Sequence, residues 1–137
     1  RDAYTSILAE CPANQFGTIK KVLPNGVSLL DDIHTNDWAL YAGVEFGNKD
    51  YRKVSKTVSF SASCSTKGGA VEVWLDSIDT GQKIATCMIE NTGDLSNIKT
   101  FTAKTIPTKG RHDVYLKFVG DGSDALFALK DFVFSSK

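Results

Sequence analysis

The sequence predicts an all-β protein, a jelly-roll β-sandwich of two antiparallel sheets. Three observations predict it. Apolar and polar residues alternate with a period of two along most of the chain, no window of a dozen residues carries an apolar stripe at helical spacing, and turn-forming clusters interrupt the alternation at short intervals. A strand with one face in a core and the other in water reads this way, because successive side chains point to opposite faces.

The expected strands follow in chain order. Residues 6–10 and 38–46 come first. Over residues 57–63, Val58, Phe60 and Ala62 alternate with Thr57, Ser59, Ser61 and Ser63. Val71, Val73 and Leu75 then alternate with Glu72, Trp74 and Asp76, and residues 83–89 and 99–105 supply two further strands. Val114, Leu116 and Phe118 alternate with Asp113, Tyr115 and Lys117, and residues 127–134 close the chain. Turn signals separate these runs, among them Pro24-Asn25-Gly26, Gly47-Asn48-Lys49-Asp50, Lys67-Gly68-Gly69, Thr108-Lys109-Gly110 and Gly120-Asp121-Gly122. Phe60, Val71, Val73, Leu75, Val114, Leu116 and Phe118 are the expected core.

A length of 137 residues suits one domain, spanning 1–137, with a core that needs no metal or disulfide staple. Sixteen Lys and Arg balance sixteen Asp and Glu, and zero net charge argues against a nucleic-acid or anionic-membrane partner. No apolar run approaches the roughly 18 residues of a membrane helix. The chain opens at Arg1 with neither Met nor a signal-like stretch, so it is expected to be a mature segment or a module of a longer polypeptide, with the module preferred. Cys11, Cys64 and Cys87 are too few and too scattered for a zinc site, and an odd count leaves at least one free thiol. A single Cys64–Cys87 bridge is the open alternative for the other two.

Catalytic signatures are missing. No glycine-rich loop opens a helix, His34 and His112 lie far apart, and no serine or cysteine sits in a nucleophile elbow. Asp31-Asp32 and Glu72 with Asp76 are carboxylate pairs of the kind a glycosidase uses, but surface strands and turns supply such pairs routinely. The chain is expected not to be an enzyme.

Several loose motifs in fixed order carry a resemblance. Ser6-Ile7-Leu8-Ala9-Glu10 is followed by Asn36-Asp37-Trp38-Ala39-Leu40-Tyr41, Gly43-Val44-Glu45-Phe46-Gly47, and Gly68-Gly69-Ala70-Val71-Glu72-Val73-Trp74-Leu75-Asp76-Ser77. Asn91-Thr92-Gly93-Asp94, Gly110-Arg111-His112-Asp113-Val114-Tyr115-Leu116-Lys117-Phe118 and Leu126-Phe127-Ala128-Leu129-Lys130-Asp131-Phe132-Val133-Phe134 complete the set. The chain resembles the family 6 carbohydrate-binding modules over nearly its whole length. The resemblance implies a jelly roll attached to a secreted hydrolase of plant or algal polysaccharides, with two candidate sugar sites.

One of those sites lies in the loops at an end of the sandwich, and here the sequence departs from the family pattern. The stretch holding the first family aromatic, residues 29–34, contains no ring except His34; the second aromatic falls at Leu95 or Ser96; the family Asn of the last strand falls at Ala128. Asn97 and Asp94 still offer polar groups. The other implied site is the concave face of one sheet. Trp38 stands at the position that serves this face in family members that use it, and the period of two turns Trp74 outward beside Glu72 and Asp76. Trp74 under a loop or at an interdomain contact, and Trp38 in the core, are the alternatives.

The family's structural calcium has its implied ligand positions at Leu8, Glu10 and Lys130, and an ammonium is no ligand for calcium. Lys130 is expected to pair with Glu10 in the ion's place. Asp121-Gly122-Ser123-Asp124, assisted by Asp31 or Asp32, is either a second calcium loop or a solvated turn, with the turn preferred. The candidate glycan-binding residues are therefore Trp38, Trp74, Glu72, Asp76, His34 and Asn97, with no cofactor. The expected function is non-catalytic: a secreted, extracellular module that targets an attached glycoside hydrolase to a β-linked polysaccharide, with a structural module that has lost sugar binding as the alternative.

Overall fold

The computed structural model describes residues 1–137, which form eleven strands and no helix. They are β1 (Ile7–Leu8), β2 (Asn14–Phe16), β3 (Ile19–Val22), β4 (Ser28–Asp31), β5 (Trp38–Glu45) and β6 (Ser55–Ser63). β7 (Gly69–Leu75), β8 (Gln82–Ile89), β9 (Lys99–Thr108), β10 (Arg111–Val119) and β11 (Ala128–Ser135) follow. One sheet runs β3-β4-β11-β6-β9, with β1 also on β11, and the other runs β2-β5-β10-β7-β8. Every strand pair is antiparallel. The two sheets face each other as the predicted sandwich.

The seven residues expected in the core all belong to one cluster of 28 buried side chains shared by both sheets. Val71, Val73, Val114, Leu116, Phe60 and Phe118 are fully buried, each stabilising the fold by roughly 1.5–3 kcal/mol relative to exposure. A second, smaller cluster of Leu23, Leu29 and Ala128, with Val27, Leu95 and Ile98 against it, lies outside this core. It lies beside the loops of one end.

Sequence periodicity misses the N-terminal third. The first strand is only Ile7–Leu8, not residues 6–10, because Ala9-Glu10 turns away and Pro12 lacks an N–H for the ladder. β2, β3 and β4 are unexpected: β2 and β3 are edge strands, exposed at every residue, and show no alternation to read. Gly17 between them takes φ +85, and a Cβ there would strike the Asp37 carboxylate. That glycine lets the β2–β3 turn close over the loop leading into β5. All three cysteines are free thiols: Cys64 donates to the carbonyls of Leu126 and Thr66, so the Cys64–Cys87 alternative is not realised.

Two expectations follow. Replacing Leu116 by Ala should lower stability by about 2–5 kcal/mol in denaturant melts, the range for emptying a well-packed core site; a loss under about 1 kcal/mol would contradict its buried place. Burial pushes the Tyr41 phenol up, and burial with Tyr51 and Asp2 nearby pushes Tyr4 up to about 12. Unfolded tyrosines ionise near 10 while these stay neutral, so their stabilisation is complete below pH 10 and is lost as pH rises from 10 toward 12. The urea midpoint should fall over that window, and Tyr41→Phe should fall less steeply than the parent.

Candidate functional site

The inward rows of the five-stranded sheet fix what its other face presents. Across that open face, Phe16, Trp38, Lys117, Glu72 and Thr86 are successive cross-strand partners from β2 to β8. A parallel row holds Asn14, Leu40, Tyr115, Trp74 and Lys83. Trp38 and Trp74 both lie on the open face, half-buried, so neither the loop-covered nor the core alternative holds. Tyr115 stands between them, its ring 6.0 Å from that of Trp38 and tilted by 57°. β5 and β7 are two strand spacings apart, about 9.5 Å, so three rings floor a platform wide enough for more than one sugar.

Polar groups border the rings. Trp74 Nε1–H donates to Glu72 Oε1 at 3.1 Å, which fixes the indole orientation. Lys83 Nζ reaches Glu72 at 3.7 Å and stands 5.8 Å from the centre of the Trp74 ring. Lys117 is held by Asp79 at 2.9 Å. Such flat apolar rings beside fixed donors and acceptors match the two faces of a pyranose, whose C–H groups stack while its hydroxyls hydrogen-bond. Tyr115, Leu40, Phe16 and Asn14 belong to this face without having been singled out. Tyr115 was legible, since it alternates outward with Val114 and Leu116; Phe16 and Asn14 sit in a strand that alternation does not reveal.

Asp76 does not join the platform, and this corrects the expectation. It lies beyond the end of β7 with φ 68, and its carboxylate meets His112 Nδ1 at 2.8 Å and accepts the Asp113 N–H at 3.1 Å. The turn consumes it.

The loop end differs in character. A small cavity of about 150 Å³ opens there between Asp31, Asp32, Thr66, Leu95, Leu126 and Phe127. That is below the roughly 300 Å³ at which ligand pockets usually begin. Ala128, at the position of the family Asn, is fully buried against Leu29, and Leu95 packs on the same cluster, so aliphatic carbon fills this end. Asn97 spends its amide on the Thr92 carbonyl and its N–H on Asp94, whose carboxyl Ser96 and Asn97 hold below the usual carboxylate range. His34 binds the Asp32 carbonyl through Nδ1 and donates its N–H to Asp37. Neither lines the cavity. The structure thus brings Trp38, Trp74 and Glu72 together and leaves His34, Asn97 and Asp76 in loop and turn fastenings.

A two-sheet antiparallel sandwich with an aromatic platform on one face defines a carbohydrate-binding type of module. Comparison with known proteins gives the same class: the family model of carbohydrate binding module (family 6) matches residues 14–136. The chain belongs to carbohydrate-binding module family 6. It is 33% identical to a family 6 module from Clostridium cellulolyticum solved in complex with xylose, with a TM-score of 0.89 over 98% of this chain and 99% of that one. A β-1,3-glucan-binding family 6 module from Bacillus halodurans is 26% identical, with a TM-score of 0.88 over 98% and 97%. An arabinoxylan arabinofuranohydrolase of Paenibacillus polymyxa is 30% identical over 96% of this chain. The chain spans 21% of that relative's length.

The family's calcium does not fit the residues present. Leu8, at one implied ligand position, is a half-exposed hydrocarbon with no side-chain oxygen to offer. Glu10 pairs with Lys20 at 3.4 Å and not with Lys130, which corrects the expected Glu10–Lys130 pair. Ser28 and Lys20 hold the Glu10 carboxyl below the usual range. Lys130 meets this region through its backbone, accepting the Ala9 N–H at 3.0 Å. At the other proposed position, Asp121 is an exposed partner of Lys67 at 3.8 Å. EDTA is therefore expected to leave the melting temperature unchanged, because only an ion that binds the native state stabilises it; a fall of many degrees, reversed by calcium, would show a cation site.

Proposed function

We propose that this chain is a non-catalytic, extracellular module that holds an attached glycoside hydrolase on a β-linked plant- or algal-type polysaccharide. The glycan lies across the open face of the five-stranded sheet. The observation that carries this reading is the platform of Trp38, Tyr115 and Trp74 on three adjacent strands, with the Trp74 ring oriented by Glu72. The xylose complex, the β-1,3-glucan binder and the arabinoxylan hydrolase among its relatives support the polymer class. The aliphatic filling of the loop end supports the face over the loops.

Affinity electrophoresis against soluble xylans and β-glucans tests the reading, with tryptophan emission as a site reporter because Trp38 and Trp74 are the only tryptophans. A bound polymer should shift that emission. Trp74→Ala should weaken binding about ten- to a hundredfold, the worth of roughly 1–3 kcal/mol of stacking and burial, while its melting temperature stays near the parent's. His34→Ala and Asn97→Ala should change affinity little. Binding that survives Trp74→Ala and is lost in His34→Ala or Asn97→Ala would move the site to the loops. Absence of binding across a broad panel would leave a structural module, and release of reducing sugar would make the chain a hydrolase.

A further inference from the structure

At the end of the sandwich opposite the loop cavity, a groove runs between the β5–β6 loop and the β9–β10 turn. We propose that this groove is a second glycan site, one that takes the carboxylates of a uronic-acid-bearing polysaccharide. The proposal rests on the glycan-binding reading for the kind of polymer, and adds to it a separate site and a charge preference.

The groove has a volume of about 570 Å³, within the range of small-molecule sites. Asn48, Lys49, Arg52, Lys53, Val54 and Lys109 line it, and no Asp or Glu does. None of its four cations enters an ion pair, a state they share with most other Lys and Arg of the chain; these four are set apart by lining one groove. Two neighbouring carboxylates, Glu45 and Asp2, are hydrogen-bonded to the loop and its surroundings and not to these cations. Glu45 accepts the Gly47 N–H and an Asn48 amide proton, and Asp2 accepts the Tyr51 hydroxyl and the Tyr4 N–H. Asp50 is exposed in the same loop and outside the groove lining.

The walls are stitched before any ligand arrives. Gly110 N–H donates to the Gly47 carbonyl at 2.7 Å, and Phe46 N–H to the Gly110 carbonyl at 2.8 Å, so loop and turn move as one. Asn48 Oδ1 accepts the N–H groups of Asp50 and Tyr51. Gly47 takes φ +146, where a Cβ would run into the Lys53 carbonyl, and this close approach sets the groove floor. Arg52 uses Nε on the Lys49 carbonyl at 3.2 Å, which leaves its two terminal nitrogens for a ligand. Lys53 is parked over the rings of Tyr4 and Tyr51, at 4.9 and 5.3 Å from their centres.

This equipment suits a sugar carboxylate. The Arg52 fork matches its two oxygens, Lys49 and Lys109 add donors, and the exposed Val54 offers an apolar contact for ring C–H groups. Four cations confined to a groove, on a chain of zero net charge, do not make the extended basic face that a nucleic acid requires.

The test compares polygalacturonate and glucuronoxylan with their carboxyl-reduced forms, and with duplex DNA, on the parent chain, on Trp74→Ala and on a Lys49→Gln, Arg52→Gln, Lys109→Gln variant. At low ionic strength the parent should bind the uronate polymers more tightly than the reduced ones. The triple variant should lose about tenfold toward the uronate polymers and nothing toward the reduced ones, and salt should erase the difference. Equal binding of the uronate polymers by parent and triple variant, or DNA binding as tight as theirs, would overturn the groove assignment. If uronate polymers bind through the groove while reduced polymers never bind, the groove stands and the sheet-face reading falls. If Trp74→Ala alone changes binding, the reverse holds, and retention by no polysaccharide would overturn both.

Discussion

Tyr41 packs edge-on against Phe132 with 4.9 Å between ring centres, and this contact joins the two sheets at the middle of the sandwich. Phe132 in turn stacks on Phe60 at 5.6 Å, and Phe134 meets Phe46 at 4.8 Å. The Tyr41 hydroxyl donates to the Ala9 carbonyl at 2.8 Å, so the one polar side-chain atom among these rings is satisfied. Because the side-chain period of a strand is two, placing Tyr41 and Ala39 inward commits Trp38 and Leu40 outward. The same holds on β7, where Val73 and Leu75 inward leave Glu72 and Trp74 outward. The platform is thus the complement of the core. A one-residue slip would put the tryptophans in the core and valines in water, and the core's burial energy forbids it.

That coupling explains which parts were legible in the sequence. β5, β6, β7, β10 and β11 each have one buried and one open face, and their alternation names the core and the outward rings together. β2 and β3 are exposed throughout, and β4 buries Leu29 and Leu30 in succession because one faces the main core and the other the small cluster under Leu95 and Ile98. No period of two survives in any of them. Asp76 failed for a related reason: alternation gives a direction only while the strand continues, and Asp76 has already entered a left-handed turn that closes on His112 and Asp113. Glu10 paired with Lys20 because β3 lies beside it, and β3 was the strand that the pattern hid.

The two ends and the face of the sandwich are differently provisioned. At the loop end, Leu29, Leu95 and Ala128 exclude water by packing on one another, which stabilises that end with aliphatic carbon. On the sheet face, the rings are kept half-exposed at the edge of the hydrophobic effect's favour. Their partial burial and the Trp74–Glu72 hydrogen bond would reduce the conformational freedom lost if a sugar stacked there, so that more of the stacking energy would appear as affinity. Lys83, near the Trp74 ring and paired with Glu72, is a neighbour that an arriving sugar can displace without leaving a buried charge, since both partners stay in contact with solvent.

Net charge hides how the charges are arranged. A balance of sixteen against sixteen reads as a neutral surface, which bears only on long-range steering. Within a Debye length, about 10 Å at 0.1 M salt, only the local set matters. Lys83 and Lys117 on the platform are paired with Glu72 and Asp79, so a glycan on that face would meet mainly rings and hydroxyl partners, and its binding would vary little with salt. Lys49, Arg52, Lys53 and Lys109 make no ion pair: Glu45 and Asp2 are hydrogen-bonded into the loop instead, and Asp50 lies outside the groove lining. The same chain therefore presents an aromatic face whose lysines are ion-paired and a groove whose cations are not, on different sides of one core, and salt dependence is the property that would distinguish ligands held by each.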